Sequence, residues 1–269
     1  MKNSVMFVAS GMVTLLLTGC VQPPQQQAQQ LLSQQSVLAV NWFQQSAEYD
    51  ALAWQAFNSA RLAFDQAPSL TSKAKAVIVD LDETMLNNSA YSAWQAKEGQ
   101  PFSSKTWSAW TQARQAKAVP GAVEFARYVN SHGGIMFYVS NRTQKDYAAT
   151  VANMQQLGFT GVNEKTVRLN TETSNKQTRF DAIKGEGYNV VLYIGDNLND
   201  FSGETWHQGN QQRREFVNLN HQRFGTQFIV LPNPLYGDWE SGMTENYTKL
   251  TPQQQLSTRR SRLESWNGK

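Results

Sequence analysis

Apolar residues recur at helical spacing through residues 31–64, at Leu38, Trp42, Tyr49, Leu52, Phe57, Ala60 and Phe64. That spacing predicts one or two amphipathic helices. Pro68 ends the pattern, because proline pushes its predecessor out of the helical region and supplies no N–H. The period then changes. Ala76-Val77-Ile78-Val79 is a short unbroken apolar run, as expected of a strand buried on both faces of a parallel sheet. Similar runs at 135–139, 190–194 and 228–231, and a shorter one at Val167-Arg168-Leu169, predict further strands. Between them, helices are predicted from Pro120-Gly121 to about Asn130, over 143–157 and over 177–184. Strand alternating with helix implies βαβ units, hence an α/β class domain with a doubly wound parallel sheet.

One interval breaks the rhythm. Residues 80–119 separate the first strand from the helix at Pro120, where a direct connection takes about 2–6 residues. Tyr91, Trp94, Phe102, Trp107 and Trp110 make this stretch aromatic. It reads as a mainly helical cap insertion, about 85–118, joined by the N-terminal helices.

The first twenty residues are of another kind. Lys2 precedes an apolar stretch over 5–18, and Leu17-Thr18-Gly19-Cys20 follows. The stretch is short for a membrane span and fits an export signal. Its Leu-x-Gly-Cys ending resembles the bacterial lipobox. That resemblance implies a signal peptide over 1–19, cut before Cys20, and a lipid on the Cys20 thiol. Residues 20–35, rich in Gln, then read as a flexible tether, and 36–269 as the folded domain. By the same resemblance to bacterial lipoproteins, Gln22, two residues after the cysteine, implies the bacterial outer membrane, facing periplasm or cell surface. Cys20 is the only cysteine, so the domain is held by its core without an internal disulfide. A net charge of +3 with scattered basic residues gives no reason to expect a nucleic-acid polymer as partner; Arg259, Arg260 and Arg262 read as a solvated helix face.

In an open α/β sheet, ligands bind beyond the carboxyl ends of the strands. The residues just after each apolar run should therefore decide function. Asp80-Leu81-Asp82-Glu83-Thr84 comes after the first, Ser140-Asn141-Arg142 after the second, and Gly195-Asp196-Asn197-Leu198-Asn199-Asp200 after the run at 190–194. Lys176 precedes the helix at 177, with Lys145, Lys165 and Lys184 as alternatives. His132, His207 and His221 show no zinc-binding spacing.

These four motifs, in this order and at these strand ends, resemble those of the haloacid-dehalogenase superfamily. With the lipobox and the Asp-Leu-Asp-Glu-Thr wording, the chain resembles the class C acid phosphatases of the lipoprotein e type. The resemblance implies a magnesium-dependent phosphomonoesterase, an acid phosphatase with 5′-nucleotidase activity. By it, Asp80 is the nucleophile and Asp82 the general acid and base. Mg2+ is held by Asp80, the Asp82 carbonyl and Asp196, with Asp200 behind its waters, and Ser140 and Lys176 bind the phosphoryl oxygens. Two aromatics sandwich the leaving group, by position Trp107 and Tyr236, with Tyr91, Trp94 and Trp110 as competitors. The expected substrate is a small phosphomonoester, a nucleoside monophosphate or aryl phosphate. A membrane is met through the lipid at Cys20, and the oligomeric state is open, a homodimer among the options. The rival reading is a surface lipoprotein that binds a nutrient such as haem or a nucleotide, with phosphatase activity secondary or absent.

Overall fold

The computed structural model describes residues 24–268. The expected signal peptide, Cys20 and the first tether residues lie outside the described residues. In chain order the elements begin with α1 (Pro24–Gln45), α2 (Ala47–Gln66), β1 (Lys75–Val79), β2 (Leu86–Asn87), α3 (Ser89–Glu98) and α4 (Ser104–Ala113). Next come β3 (Lys117–Ala118), α5 (Ala122–Ser131), β4 (Gly134–Thr143), α6 (Tyr147–Leu157), β5 (Val167–Asn170) and α7 (Gln177–Gly185). The chain continues with β6 (Asn189–Gly195), α8 (Asn210–Leu219), β7 (Phe228–Val230), α9 (Asp238–Ser241) and α10 (Pro252–Ser261).

Five strands form one parallel sheet in the order β5-β4-β1-β6-β7. The chain starts in the middle and winds outward both ways, which is the doubly wound arrangement expected from the alternating pattern. The two-residue period of a strand sends neighbours to opposite faces. Val77 and Val79 of β1, with Met136, Tyr138, Leu192 and Ile194, pack against α2, α5 and α6. Ala76 and Ile78, with Phe137, Tyr193 and Phe228, pack against α7 and α8. Both faces are covered, so the strands carry no polar alternation.

Helix α2 is specified at both ends. The Ser46 side chain accepts the Tyr49 N–H at 3.1 Å, and Glu48 and Asp50 occupy the first turn, where the helix dipole favours acid. Ala67, before Pro68, adopts ψ 139° and ends it.

The expected tether over 20–35 is corrected from Pro24 onward. From Pro24 the chain is helical, and Ala28, Leu32 and Ser33 are buried. Glutamine and alanine are good helix formers, and α1 has surfaces to pack on: it runs along α3 and α10. Of the two N-terminal helices, α1 packs along cap helix α3, whereas α2 lies mainly on α5, β6 and β7. The helix predicted from residue 143 begins at Tyr147, because β4 runs on to Thr143, where it pairs with Asn170. Within the insertion, α3 and α4 are closed at their base by antiparallel pairing of β2 with β3, Leu86 opposite Ala118.

Candidate active site

The carboxyl ends of β1, β4 and β6 bring the motif residues together. Asp80 follows β1, and its N–H still makes a sheet bond to the Ile194 carbonyl at 2.9 Å. The chain then turns sharply: Met85 and Leu86 N–H both return to the Leu81 carbonyl, at 2.9 and 2.7 Å. Glu83 sits in that turn at φ 57°, in the left-handed region that residues with a side chain seldom occupy.

Asp80, Asp196 and Asp200 converge, their nearest carboxylate oxygens all within 4.8 Å of one another. Lys176 is buried among them and ion-pairs with Asp80 Oδ1 and, at 2.7 Å, with Asp200 Oδ1. Lys176 is thus the lysine brought to Asp80; Lys184 lies instead beside Asp181 and the Tyr193 ring, and Lys165 over Tyr188. The other Asp200 oxygen accepts the Asn197 N–H at 3.0 Å. Gly195 is required here, since a Cβ at that position would land on the Asp200 side chain. Asp196 accepts from Thr84 Oγ1 at 2.9 Å and from Asn233 Nδ2 at 2.8 Å. Arg213 of α8, buried, holds the loop from behind by donating to the side chains of Asn197 and Asn199 and to the Thr205 carbonyl.

Electrostatics follow from burial and crowding. Burial raises Asp80 well above the usual carboxylate range; Lys176 pulls it down, while Asp200, Asp196 and Asp82 push it up. Burial and then Asp200 raise Asp196 to about 7, against the hydrogen bonds from Asn233 and Thr84. Burial works against the Lys176 charge, but Asp200 and Asp80 more than offset it and hold the group above an ordinary lysine. One lysine does not neutralise this cluster. Convergent hard oxygens carrying uncompensated negative charge fit a divalent metal ion of the kind that prefers such donors.

Asp82 is treated differently. Arg142, on β4 and almost fully buried, donates to Asp82 Oδ1 from Nε at 3.0 Å and from Nη2 at 2.8 Å, and more weakly to Oδ2 at 3.3 Å. Asn88 Nδ2 adds a bond to Oδ1 at 2.9 Å. Arg142 is fixed in turn by Thr150 Oγ1 and Asn88 Oδ1. Ser140 is buried, and its hydroxyl donates to Asp82 Oδ2 at 3.3 Å. The consequence is an asymmetry within Asp80-Leu81-Asp82. The second carboxylate is clamped through both oxygens, whereas Asp80 Oδ2 has no hydrogen-bond partner among the described residues.

Trp107, half-buried on α4, lies 5.7 Å from the Arg142 guanidinium, measured to its ring centroid. Tyr236, in the loop after β7, donates its hydroxyl to Glu83. Both therefore border the residues around Asp82. Tyr91 is buried in the cap, and Trp110 donates Nε1 to Asn88 Oδ1 at 2.8 Å. Trp94 is more exposed and stacks on Tyr91. Sequence reasoning assigns no role to Arg142, Asn88, Glu83 or Asn233. An arginine in the continuation of a buried strand was the one available signal; the others are neighbours only in three dimensions.

The family model for HAD superfamily, subfamily IIIB (acid phosphatase) matches residues 20–239. The structure of the class C acid phosphatase from Bacillus anthracis is similar at a TM-score of 0.83 and 32% sequence identity, covering 88% of this chain and 99% of that one. A Bacillus anthracis class C acid phosphatase structure with tungstate bound gives 0.83 at 31% identity over the same shares. Acid phosphatase 1 of Solanum lycopersicum is 24% identical over 164 residues, and the stem 28 kDa glycoprotein of Glycine max 26% identical over 166. Those matches take in 59% of this chain, and only 57% and 58% of the length of the two plant relatives. With a family model matched over most of its length, and a solved relative at 32% identity spanning nearly all of it, the chain belongs to the HAD superfamily, subfamily IIIB, the acid phosphatases.

Proposed function

We propose that the protein is a phosphomonoesterase acting on nucleoside monophosphates and aryl phosphates. The observation that carries this reading is the division of labour in Asp80-Leu81-Asp82: one carboxylate with a free oxygen, the other locked in place. Asp80 Oδ2 attacks phosphorus and becomes an aspartyl phosphate, while Lys176, on Oδ1, offsets the charge that gathers there. Asp82 protonates the leaving oxygen and then takes a proton from the attacking water. Its Oδ2 is the atom suited to carry that proton, because the short bonds from Arg142 and Asn88 fall on Oδ1. Rotation of the Ser140 hydroxyl from Asp82 toward a phosphoryl oxygen, with Lys176, completes the phosphate contacts.

Asp80, the Asp82 carbonyl and Asp196 are the groups to hold Mg2+. Asp200, both of whose oxygens are engaged, supports it through water. The ion supplies positive charge against the phosphoryl oxygens. Tungstate, bound in the Bacillus anthracis structure, is a phosphate-like oxyanion and supports an oxyanion site. Trp107 and Tyr236 are the walls for a base or aryl ring, where stacking tolerates every base; this is the basis for 5′-nucleotidase activity. A lipid on Cys20 and residence at the outer membrane belong to the same proposal and rest on the lipobox wording.

The test is phosphate release by the purified protein from a panel of 5′-nucleotides and aryl phosphates, with magnesium, with EDTA, and with Asp80→Asn. Activity is expected only in the parent with metal. Full turnover in Asp80→Asn sinks the nucleophile assignment. Mass spectrometry of the mature amino terminus decides the lipid.

A further inference from the structure

Glu83 takes no part in the reaction described above, yet it is wholly buried one residue from Asp82. Its carboxylate has two hydrogen-bond partners among the described residues. Oε1 accepts the Asn88 N–H at 2.8 Å, and Oε2 accepts the Tyr236 hydroxyl. Its own N–H is tied to the Leu86 carbonyl at 2.8 Å, which holds the left-handed turn. Tyr236, by contrast, is 39% exposed, and the bond to Glu83 is the one hydrogen bond its hydroxyl makes among the described residues. The loop that carries it is anchored on either side of the tyrosine: Asn233 donates to Asp196 and accepts the Leu235 N–H, both at 2.8 Å, and Asp238 accepts from Asn199 and ion-pairs with Arg213. The ring is therefore held at its hydroxyl by Glu83, while the loop behind it is held separately through Asn233.

We propose that Glu83 is a positioning residue that sets the Tyr236 ring as one wall of the leaving-group subsite, and so sets the preference for phosphomonoesters whose leaving group is a planar aromatic ring. This rests on the phosphatase reading above. A half-exposed tyrosine on a loop samples several rotamers, and a substrate that stacks on it must first order it. Pinning the hydroxyl to a buried carboxylate orders the ring before the substrate arrives. A substrate with an aliphatic leaving group gains nothing from that preparation. Asn88 extends the device: its backbone N–H holds Glu83 while its side chain holds Asp82. The wall that reads the leaving group and the acid that protonates it are thus set by one residue.

The test compares kcat and KM of the purified protein, with magnesium, on a 5′-nucleotide and on the phosphomonoester of an aliphatic alcohol. Tyr236→Phe keeps the ring and removes only the hydroxyl. It is expected to lower the ratio of kcat/KM, nucleotide over aliphatic, by about 2- to 12-fold, the factor that freeing one side chain carries. The loss should fall on KM for the nucleotide rather than on kcat. Glu83→Gln, which keeps one acceptor, should lower the ratio by as much or less. An unchanged ratio in Tyr236→Phe beside a reduced one in Tyr236→Ala means that the ring stacks but Glu83 does not set it; that overturns the inference and leaves the phosphatase reading standing. An equal loss on both substrates also overturns it, since the role is then structural. Phosphate release from neither substrate by the parent protein overturns both.

Discussion

Arg142→Met is the most informative single substitution in this site. The Arg142 side chain is 1% exposed and that of its partner, Asp82, 16% exposed. Removing one member of a buried ion pair costs about 3–5 kcal/mol, because the other charge is left without compensation. Asp82 can still recruit some water and keeps its bonds from Asn88 and Ser140, so the lower end, about 3 kcal/mol, is expected. For a domain of this size that corresponds to a melting point lower by about 6–12 °C. Turnover should fall by about 10²–10⁴, the usual contribution of a placed general acid and base, since Asp82 loses the fork that orients it. Arg142→Lys restores a charge without the planar fork and should recover part of the stability but little of the rate. Thermal melts and phosphate release on the three proteins decide the matter, with Asp82→Asn and the double variant closing a cycle. A melting point within about 2 °C of the parent, under one kcal/mol on this scale, would falsify the claim that Arg142 carries Asp82. So would additive losses in the cycle.

Three further outcomes are expected. In the metal-free protein Asp196 is raised to about 7, against about 3.9 in an unfolded chain, so the folded state holds the extra proton between those values. Asp196 therefore contributes a loss of stability as pH rises from about 4 to 7, a slope that Asp196→Asn should flatten and magnesium should oppose by binding the ionised cluster; melts in EDTA whose pH slope is the same in parent and variant would contradict this. Gly195→Ala forces the Asp200 side chain aside, and should weaken the stabilisation by magnesium in a metal titration followed by melting point; unaltered metal dependence counts against the crowding argument. Tyr49 buries a hydroxyl that has no partner among the described residues, so Tyr49→Phe should leave stability unchanged or raise it by up to about 1–3 kcal/mol of recovered desolvation, read from the melting point; a clear fall would mean that the hydroxyl is satisfied.

The parallel strands were legible in the sequence because a strand covered on both faces is written as an unbroken apolar run, as at Ala76-Val77-Ile78-Val79. Asp80, Asp82 and Asp196 could be picked out because chemistry in such a sheet collects where those runs stop, and Lys176 because it stands at a helix start ahead of the strand at 190. The relations among them could not. That Arg142 holds Asp82, or that Asn233 reaches Asp196 across 37 positions, depends on strand order and on loop geometry that no local pattern encodes. Helix α1 reads partly as a tether because its glutamines look alike in a linker and in a helix; only the surfaces offered by α3 and α10 decide between them. Glu83 was hidden for the opposite reason. A buried carboxylate at positive φ is locally improbable, and no propensity scale would place it there.

The packing of α1 along α3 has a consequence for how such an enzyme can be rebuilt. The insertion is closed at its base by the pairing of β2 with β3, tied to the sheet domain through Ser108 and Asp146 at 2.7 Å, and backed by a helix from before the first strand. It is stapled on three sides rather than hung on one. Exchange of residues 85–118 with a relative's insertion would leave α1 facing a foreign surface. A chimera designed to change substrate range must therefore carry α1 along with the insertion, two segments far apart in the gene that behave as a single exchangeable part.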